Sequence, residues 1–316
     1  MQQLSHPYLI GTKHLTKEDL ELIFDTARQM EDIANNRKDG HHLLRGKIMA
    51  SLFYEPSTRT RLSFEYSMKK LGGDVVTVSD GPCSSLSKGE SIDDNAKITA
   101  MYSDIIVIRH PQIGSAKETA YATNKPVINA GDGGNQHPSQ ALLDVYTILK
   151  ENKRLDNLHI AIVGDLKYGR TTHSIVFLMG LFENIRFTFI SPTELHMPEK
   201  VTDFLENKGI PYTETDNYIE GIKGADVLYV TRLQKERFTD ASEYEKLKDD
   251  FILNLDILKH AKPDITIMHP LPRVNEVDHE VDKLPNAAFF RQAANGVPVR
   301  MALLYLLLRN NETSLI

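Results

Sequence analysis

The chain has 316 residues, and 37 Lys and Arg against 43 Asp and Glu give it a formal net charge of −6. Apolar residues make up 41% and charged residues 25%, which are ordinary values for a globular protein and exclude a disordered or collagen-like chain. The length predicts two domains, the acidic balance disfavours binding to nucleic acid, and a single cysteine, Cys83, excludes a disulfide framework or a cysteine-rich zinc site.

Nothing in the sequence predicts a membrane segment. The first residues have no basic region followed by an apolar run, so we expect no signal peptide. The longest apolar stretch, 301–308, is far shorter than the roughly 18 residues needed to span a bilayer. We therefore expect a cytoplasmic protein that does not associate with a membrane.

The predicted elements alternate short apolar strands with helices. In the first half the pattern predicts helices over 16–30, 62–71 and 139–150, and strands over 47–54, 74–78, 105–108 and 127–130. In the second half it predicts strands over 159–164, 186–190, 227–230 and 266–269, and helices over about 171–182 and 296–309.

This alternation predicts an α/β protein with two doubly wound parallel-sheet domains and helices on both faces. The polar segment 150–157 marks a boundary between the domains. We expect the last helix to pack back across the first domain, which would then comprise 1–150 plus 292–316. The second domain would comprise 151–291.

The strongest chemical signal is the segment Glu-Pro-Ser-Thr-Arg-Thr-Arg at 55–61, between a predicted strand and a predicted helix. A helix N-terminus presents backbone N–H groups and the positive end of the helix dipole, which favours an anion. Ser57, Thr58 and Thr60 add hydroxyl donors, and Arg59 adds a planar guanidinium that matches phosphate oxygens. A capped, solvated charged turn would explain this density of donors less well.

Two further candidates follow predicted strands. Arg109 comes directly after a strand, and ligands of open parallel sheets bind beyond the carboxyl ends of the strands. His137 follows the glycine-rich segment 131–136, and Gln140 lies one helical turn later, so both could reach one ligand. Taken alone, Arg109 would be interpreted as a surface ion pair and His137 as a structural histidine.

The segment 57–61 resembles the carbamoyl-phosphate-binding motif of the aspartate and ornithine carbamoyltransferase family. Four more segments fit the same family in order, and the resemblance spans essentially the whole chain. They are Ser-Ser-Leu-Ser-Lys-Gly-Glu at 84–90, Arg-His-Pro at 109–111, His-Pro-Ser-Gln at 137–140 and His-Pro-Leu-Pro-Arg at 269–273. The reaction of this family is achieved by positioning two substrates and stabilising developing charge, so the resemblance implies no metal and no cofactor.

The resemblance also implies the residues of the carbamoyl phosphate site. They are Ser57, Thr58, Arg59, Thr60, Arg109, His137, Gln140, the loop serine Ser84, and the backbone of Leu271 and Pro272, where a cis bond is plausible. His137 would polarise the carbonyl group and Gln140 would hold the carbamoyl amino group. Arg59, Thr60, Arg109, His137 and Lys88 are the expected catalytic residues.

Ser84 and Lys88 belong to a loop that, in the family, completes the active site of the adjacent subunit. The neighbouring Ser85 leaves the choice of loop serine open. The resemblance therefore implies a homotrimer with shared active sites. Some catalytic chains of the family pair with a zinc-binding regulatory chain, and the sequence leaves open whether this one does.

The second domain carries the expected acceptor site. By resemblance, Arg170, Arg232 and Gln234 bind L-aspartate, with Lys88 reaching in from the loop. Pro270 stands where ornithine enzymes of the family typically place a cysteine, which favours aspartate. The expected reaction gives N-carbamoyl-L-aspartate and phosphate, an early step of pyrimidine synthesis.

Two other classes of function compete with this interpretation. A nicotinamide dehydrogenase would use the segment 164–170, but that segment has Leu166 where the dinucleotide fingerprint needs glycine. A non-enzymatic anion-binding scaffold would have no reason to keep Lys88, Arg109 and His137 together. Without the resemblance, 232–237 would be interpreted as the solvated start of a charged helix.

Overall fold

The computed structural model describes residues 3–79, 88–232 and 251–309. The chain divides into two compact units. Unit 1 comprises Met1–Leu142 and Asn295–Ile316, and unit 2 comprises Leu143–Ala294. Among the described residues, no helix is long and apolar enough to cross a membrane.

Unit 1 is built on a four-stranded parallel sheet with the order β2-β1-β3-β4. Its strands are β1 (Ile48–Phe53), β2 (Asp74–Val78), β3 (Ile105–His110) and β4 (Val127–Asp132). Its helices are α1 (Lys17–Ala34), α2 (Thr58–Lys70), α3 (Ile92–Met101), α4 (Ser115–Ala122) and the start of α5 (Pro138–Asn152). The chain runs from β1 to one side and then crosses to β3 on the other, so the sheet has its switch point between the ends of β1 and β3.

The sequences of the strands explain their positions in this sheet. Strands β1 and β3 are almost continuous apolar runs that are buried on both faces, as expected for central strands covered by helices. Strand β2 is largely exposed and contains Asp74 and Thr77, which is typical of an edge. Helix α1 begins with a capping box in which Thr16 and Asp19 each bind the other's backbone N–H.

Unit 2 is built on a five-stranded parallel sheet with the order β7-β6-β5-β8-β9. Its strands are β5 (His159–Val163), β6 (Arg186–Ile190), β7 (Tyr212–Thr215), β8 (Val227–Val230) and β9 (Thr266–Met268). Its helices are α6 (Arg170–Met179), α7 (Glu199–Asn207), α8 (Tyr218–Ile222), α9 (Leu255–Leu258) and the start of α10 (Phe289–Arg309). The switch point of this sheet lies between β5 and β8.

The structure confirms the predicted fold class, with two differences that matter for the site. Helix α2 begins at Thr58 rather than at 62, so the hydroxyl-rich segment forms the first helical turn instead of preceding it. Helix α10 begins at Phe289 rather than at 296 and continues through Pro298. Proline removes one hydrogen bond from a helix, but it does not end this one.

Candidate active site

The start of α2 lies directly beyond the carboxyl end of β1. Ser57 has extended backbone angles (φ −160°, ψ 103°), and its side chain makes no capping hydrogen bond. The N–H groups of the first helical turn have no acceptor within the helix, and this turn contains no acidic residue. The positive end of α2, where Ser57 and Thr58 lie, therefore has the chemistry that favours a phosphate-like anion, and we call it the cradle.

The two arginines of this segment have different surroundings. Arg59 is exposed in the first turn, and partial desolvation of its guanidinium lowers the pKa without removing the charge at neutral pH. Arg61 lies beside Glu65, with 3.9 Å between Nε and Oε1. Glu65 in turn accepts a hydrogen bond from Ser51 at 3.0 Å. Arg61 thus belongs to a link between α2 and β1, whereas Arg59 faces solvent at the cradle.

Arg109 lies at the same edge of the sheet, because it pairs with Phe53 across β3 and β1. Its guanidinium forms a hydrogen-bonded ion pair with Glu55 in which both side chains are largely buried. The sequence did not predict this role for Glu55. Its position two residues beyond β1, beside a neighbouring strand that carries Arg109 near its end, is the signal that could have suggested it.

His137 and Gln140 follow β4 at this edge as well. His137 is 4% exposed, and its backbone oxygen accepts a hydrogen bond from the N–H of Gln140 at 3.0 Å. Gly133 has φ +51°, and a Cβ there would lie 2.5 Å from the backbone oxygen of Pro111, so this position in the loop before His137 needs glycine. Unit 1 therefore gathers the cradle, Arg59, Arg109, His137 and Gln140 at the carboxyl ends of β1, β3 and β4.

In unit 2, Arg170 and Arg232 lie at the switch point of the sheet. Arg170 is the first residue of α6, and Arg232 follows β8; both are half-buried. The segments that follow β5 and β8 approach each other closely, since a Cβ on Gly164 (φ +118°) would lie 2.3 Å from the backbone oxygen of Thr231. Leu166, which replaces a fingerprint glycine, is fully buried.

Leu271 and Pro272 form a turn after β9. The bond between them is cis, in agreement with the expectation from the sequence, and Leu271 has φ +54°. An L residue seldom adopts such a backbone angle, so the turn depends on the contacts that hold it.

The remaining expected site residues are Lys88, Ser84 and Gln234. Lys88 is exposed shortly before α3. Ser84 and Gln234 lie outside the described residues, and so does Cys83. The roles of these three residues stay predictions.

Two family models match this chain in succession. The model for the aspartate/ornithine carbamoyltransferase carbamoyl-P binding domain matches residues 8–150. The model for the aspartate/ornithine carbamoyltransferase Asp/Orn binding domain matches residues 156–307. Together they span both units.

Similar proteins agree with these models over almost their full lengths. The aspartate carbamoyltransferase catalytic subunit of Methanocaldococcus jannaschii is 50% identical over 305 residues, which is 96% of this chain and 99% of that protein. The aspartate carbamoyltransferase catalytic subunit of Methanobrevibacter smithii is 50% identical over 303 residues, which is 96% of this chain and 95% of that protein.

Solved structures are similar as well. The M. jannaschii aspartate transcarbamoylase catalytic subunit has a TM-score of 0.90 at 48% identity, covering 98% of this chain and 100% of its own. Aspartate transcarbamoylase from Trypanosoma cruzi, in complex with carbamoyl phosphate and aspartate, has a TM-score of 0.87 at 37% identity. The match covers 94% of this chain and 95% of that one. The chain belongs to the aspartate/ornithine carbamoyltransferase family.

Proposed function

We infer that this chain transfers the carbamoyl group of carbamoyl phosphate to the α-amino group of L-aspartate, giving N-carbamoyl-L-aspartate and phosphate. The observation that carries this inference is the gathering of an anion cradle, two arginines and His137 at one edge of the first sheet. Relatives named for this reaction are about 50% identical over nearly the whole chain.

The phosphate end of carbamoyl phosphate is bound at the start of α2. Ser57, Thr58 and Thr60 donate hydrogen bonds, and Arg59 and Arg109 neutralise the phosphate charge. Glu55 holds the guanidinium of Arg109 at the edge of the sheet before the substrate binds. Because phosphate is the leaving group, these contacts strengthen as negative charge grows on it in the transition state.

The carbamoyl end is bound through hydrogen bonds. His137 donates to the carbonyl oxygen, which becomes an oxyanion when the amine attacks. Gln140 and the backbone oxygens of Leu271 and Pro272 bind the carbamoyl amino group. Ser84 adds a hydroxyl from the loop.

Aspartate is bound through its two carboxylates. Arg170 and Arg232 each offer a guanidinium fork that matches one carboxylate, and Gln234 and Lys88 complete the acceptor site. The neutral α-amino group attacks the carbonyl carbon, a C–N bond forms, and the C–O bond to phosphate breaks. The amine loses a proton in the process, and the departing phosphate is a candidate to receive it.

The active unit is a homotrimer in the cytoplasm, in which Lys88 and Ser84 of one chain complete the site of its neighbour. The first domain, 1–150 plus 292–316, binds carbamoyl phosphate, and the second, 151–291, binds aspartate. The product enters pyrimidine synthesis.

Phosphate release from carbamoyl phosphate by the purified chain tests this proposal, with L-aspartate and L-ornithine compared as acceptors. We expect release with aspartate alone. Release with ornithine alone would contradict the roles of Arg170 and Arg232 while leaving the phosphate site intact. No release with either acceptor, from a chain shown to be trimeric in solution, would contradict the reaction itself.

A further inference from the structure

The turn at 269–276 in unit 2 is held by a histidine and a glutamate to which the proposed reaction assigns no role. The N–H of Leu271 donates to Nδ1 of His269 at 2.8 Å. Nδ1 therefore carries no proton, which leaves the proton of the neutral imidazole on Nε2. Nε2 lies 2.7 Å from Oε1 of Glu276, to which it donates.

Glu276 closes the turn from the other side. Its Oε2 accepts hydrogen bonds from the backbone N–H groups of Val274 at 3.0 Å and Asn275 at 3.1 Å. Although burial acts in the opposite direction, the bonds from His269 and from the backbone hold the pKa of Glu276 below its usual value. The carboxylate is therefore ionised and accepts at both oxygens, which fixes the path of the chain around Leu271.

The backbone of His269 is also anchored in the interior of unit 2. The backbone N–H of His269 donates to Oε1 of Gln292 at 2.9 Å, and Nε2 of Gln292 donates to Oδ1 of Asp144 at 2.6 Å. The second oxygen of Asp144 accepts from the hydroxyl of Tyr229 at 2.7 Å. His269, Gln292, Asp144 and Tyr229 are all at most 2% exposed, so the turn is anchored to a rigid, fully buried network.

We propose that His269 and Glu276 are positioning residues that hold the backbone of Leu271 in its left-handed conformation, so that its carbonyl group meets the carbamoyl amino group. This inference rests on the proposed function, which places Leu271 at the carbamoyl end of the substrate. Neither side chain needs to touch substrate. We call these two side chains the clamp. The clamp affects the binding of the carbamoyl group and leaves the phosphate cradle of unit 1 unaffected.

Two substitutions of His269 separate its hydrogen bond with Leu271 from its hydrogen bond with Glu276. His269→Asn places a carboxamide oxygen near the position of Nδ1, so it keeps the acceptor for Leu271 and loses the bond to Glu276. His269→Gln reaches Glu276 with a carboxamide nitrogen and loses the acceptor for Leu271. Glu276→Gln is an independent disruption, because its amide nitrogen would face the N–H groups of Val274 and Asn275. His260→Asn, at an exposed histidine of the same unit, is the matched control.

The experiment measures kcat and KM for carbamoyl phosphate, together with the Kd for inorganic phosphate, in the full-length chain. Loss of one hydrogen bond in the turn should reduce kcat/KM for carbamoyl phosphate about 10-fold in His269→Gln and Glu276→Gln. In His269→Asn the fall in kcat/KM should be smaller, because the acceptor for the N–H of Leu271 is kept. The Kd for inorganic phosphate should match that of the wild type in all three variants. His260→Asn should leave every value unchanged.

Two results would overturn the proposal. One is a wild-type kcat/KM in both His269→Gln and Glu276→Gln. The other is a rise in the phosphate Kd by the same factor as the fall in kcat/KM, which would indicate general damage rather than a lost carbamoyl contact. Absence of carbamoyl transfer in the wild-type chain would instead refute the proposed function, and this inference with it.

Discussion

At the scale of single residues, Arg59 and Arg61 belong to one motif but have different surroundings. Arg59 is exposed at the cradle, whereas Arg61 lies against Glu65. We expect Arg59→Ala to reduce kcat/KM about 100- to 1,000-fold, because the proposed function assigns to this charge the stabilisation of the leaving phosphate. Steady-state kinetics would check this, with exposed Arg37→Ala as the control. Wild-type kinetics in Arg59→Ala would rule out the assigned role.

His173 carries a prediction about pH. Its Nε2 donates to the backbone oxygen of Leu166 at 2.7 Å, and burial lowers the pKa of this histidine to about 4. The unfolded chain takes up the proton near pH 6.5, so the free energy of unfolding falls as the pH falls from about 6.5 towards 4, by about 3 kcal/mol in total.

The substitution His173→Gln tests this prediction, because it keeps a donor for Leu166 but cannot titrate. Denaturant unfolding at several pH values between 4 and 7 should show a flatter dependence in the variant than in the wild type. Other titrating groups are common to both chains and cancel in the comparison. Equal slopes in the two chains would contradict the neutral, buried state of His173.

At the scale of elements, the loop between β4 and α5 is organised by one carboxylate. Asp132 accepts hydrogen bonds from the side chains of Asn129 and Asn135 and from the backbone N–H groups of Gly114 and Gln136. In Asp132→Asn an amide nitrogen would face some of these donors. We expect the free energy of unfolding to fall by about 1–3 kcal/mol. The kcat should fall as well, because the loop leads directly to His137.

Denaturant unfolding and steady-state kinetics measure these two effects. Asp256→Asn, at an exposed aspartate outside the loop, should change neither value. A variant at Asp132 with wild-type stability would mean that the loop does not depend on this carboxylate.

The elements also show what sequence patterns can and cannot locate. The buried strands β1, β3 and β5 were predicted within a residue or two, because continuous apolar runs leave few alternatives. The start of α2 was placed too late, because serine and threonine favour caps and turns in sequence statistics. In the structure, Thr58 and Thr60 lie within the first helical turn, where backbone N–H groups have no acceptor inside the helix.

At the scale of the whole molecule, the proposed trimer makes a prediction about mixed subunits. Arg59→Ala removes a group from a chain's own site, whereas Lys88→Ala removes one from the neighbour's site. Each variant alone should be nearly inactive. Mixing equal amounts by dissociation and reassociation should restore about one quarter of the wild-type activity, because one interface in four pairs an intact Arg59 with an intact Lys88.

The carbamoyl-transfer activity of the reassociated mixture, relative to that of the wild type, measures the fraction of restored sites. A mixture of each variant with itself, treated in the same way, is the control. If the mixture stays as inactive as its components, the sites are not shared between chains.

The sequence by itself determined the fold class and the family. Apolar strands that alternate with helices allow little besides parallel sheets, and the motif at 57–61 needs only neighbouring residues to form a cradle. Only the tertiary structure decided which distant groups support these residues. Glu55 meets Arg109, and His269 meets Glu276 and Gln292, because hydrogen bonds between buried polar groups are fixed by the packing of separate elements. Spacing along the sequence indicates at most that two such residues lie at the same edge of a sheet, and it does not show that they pair.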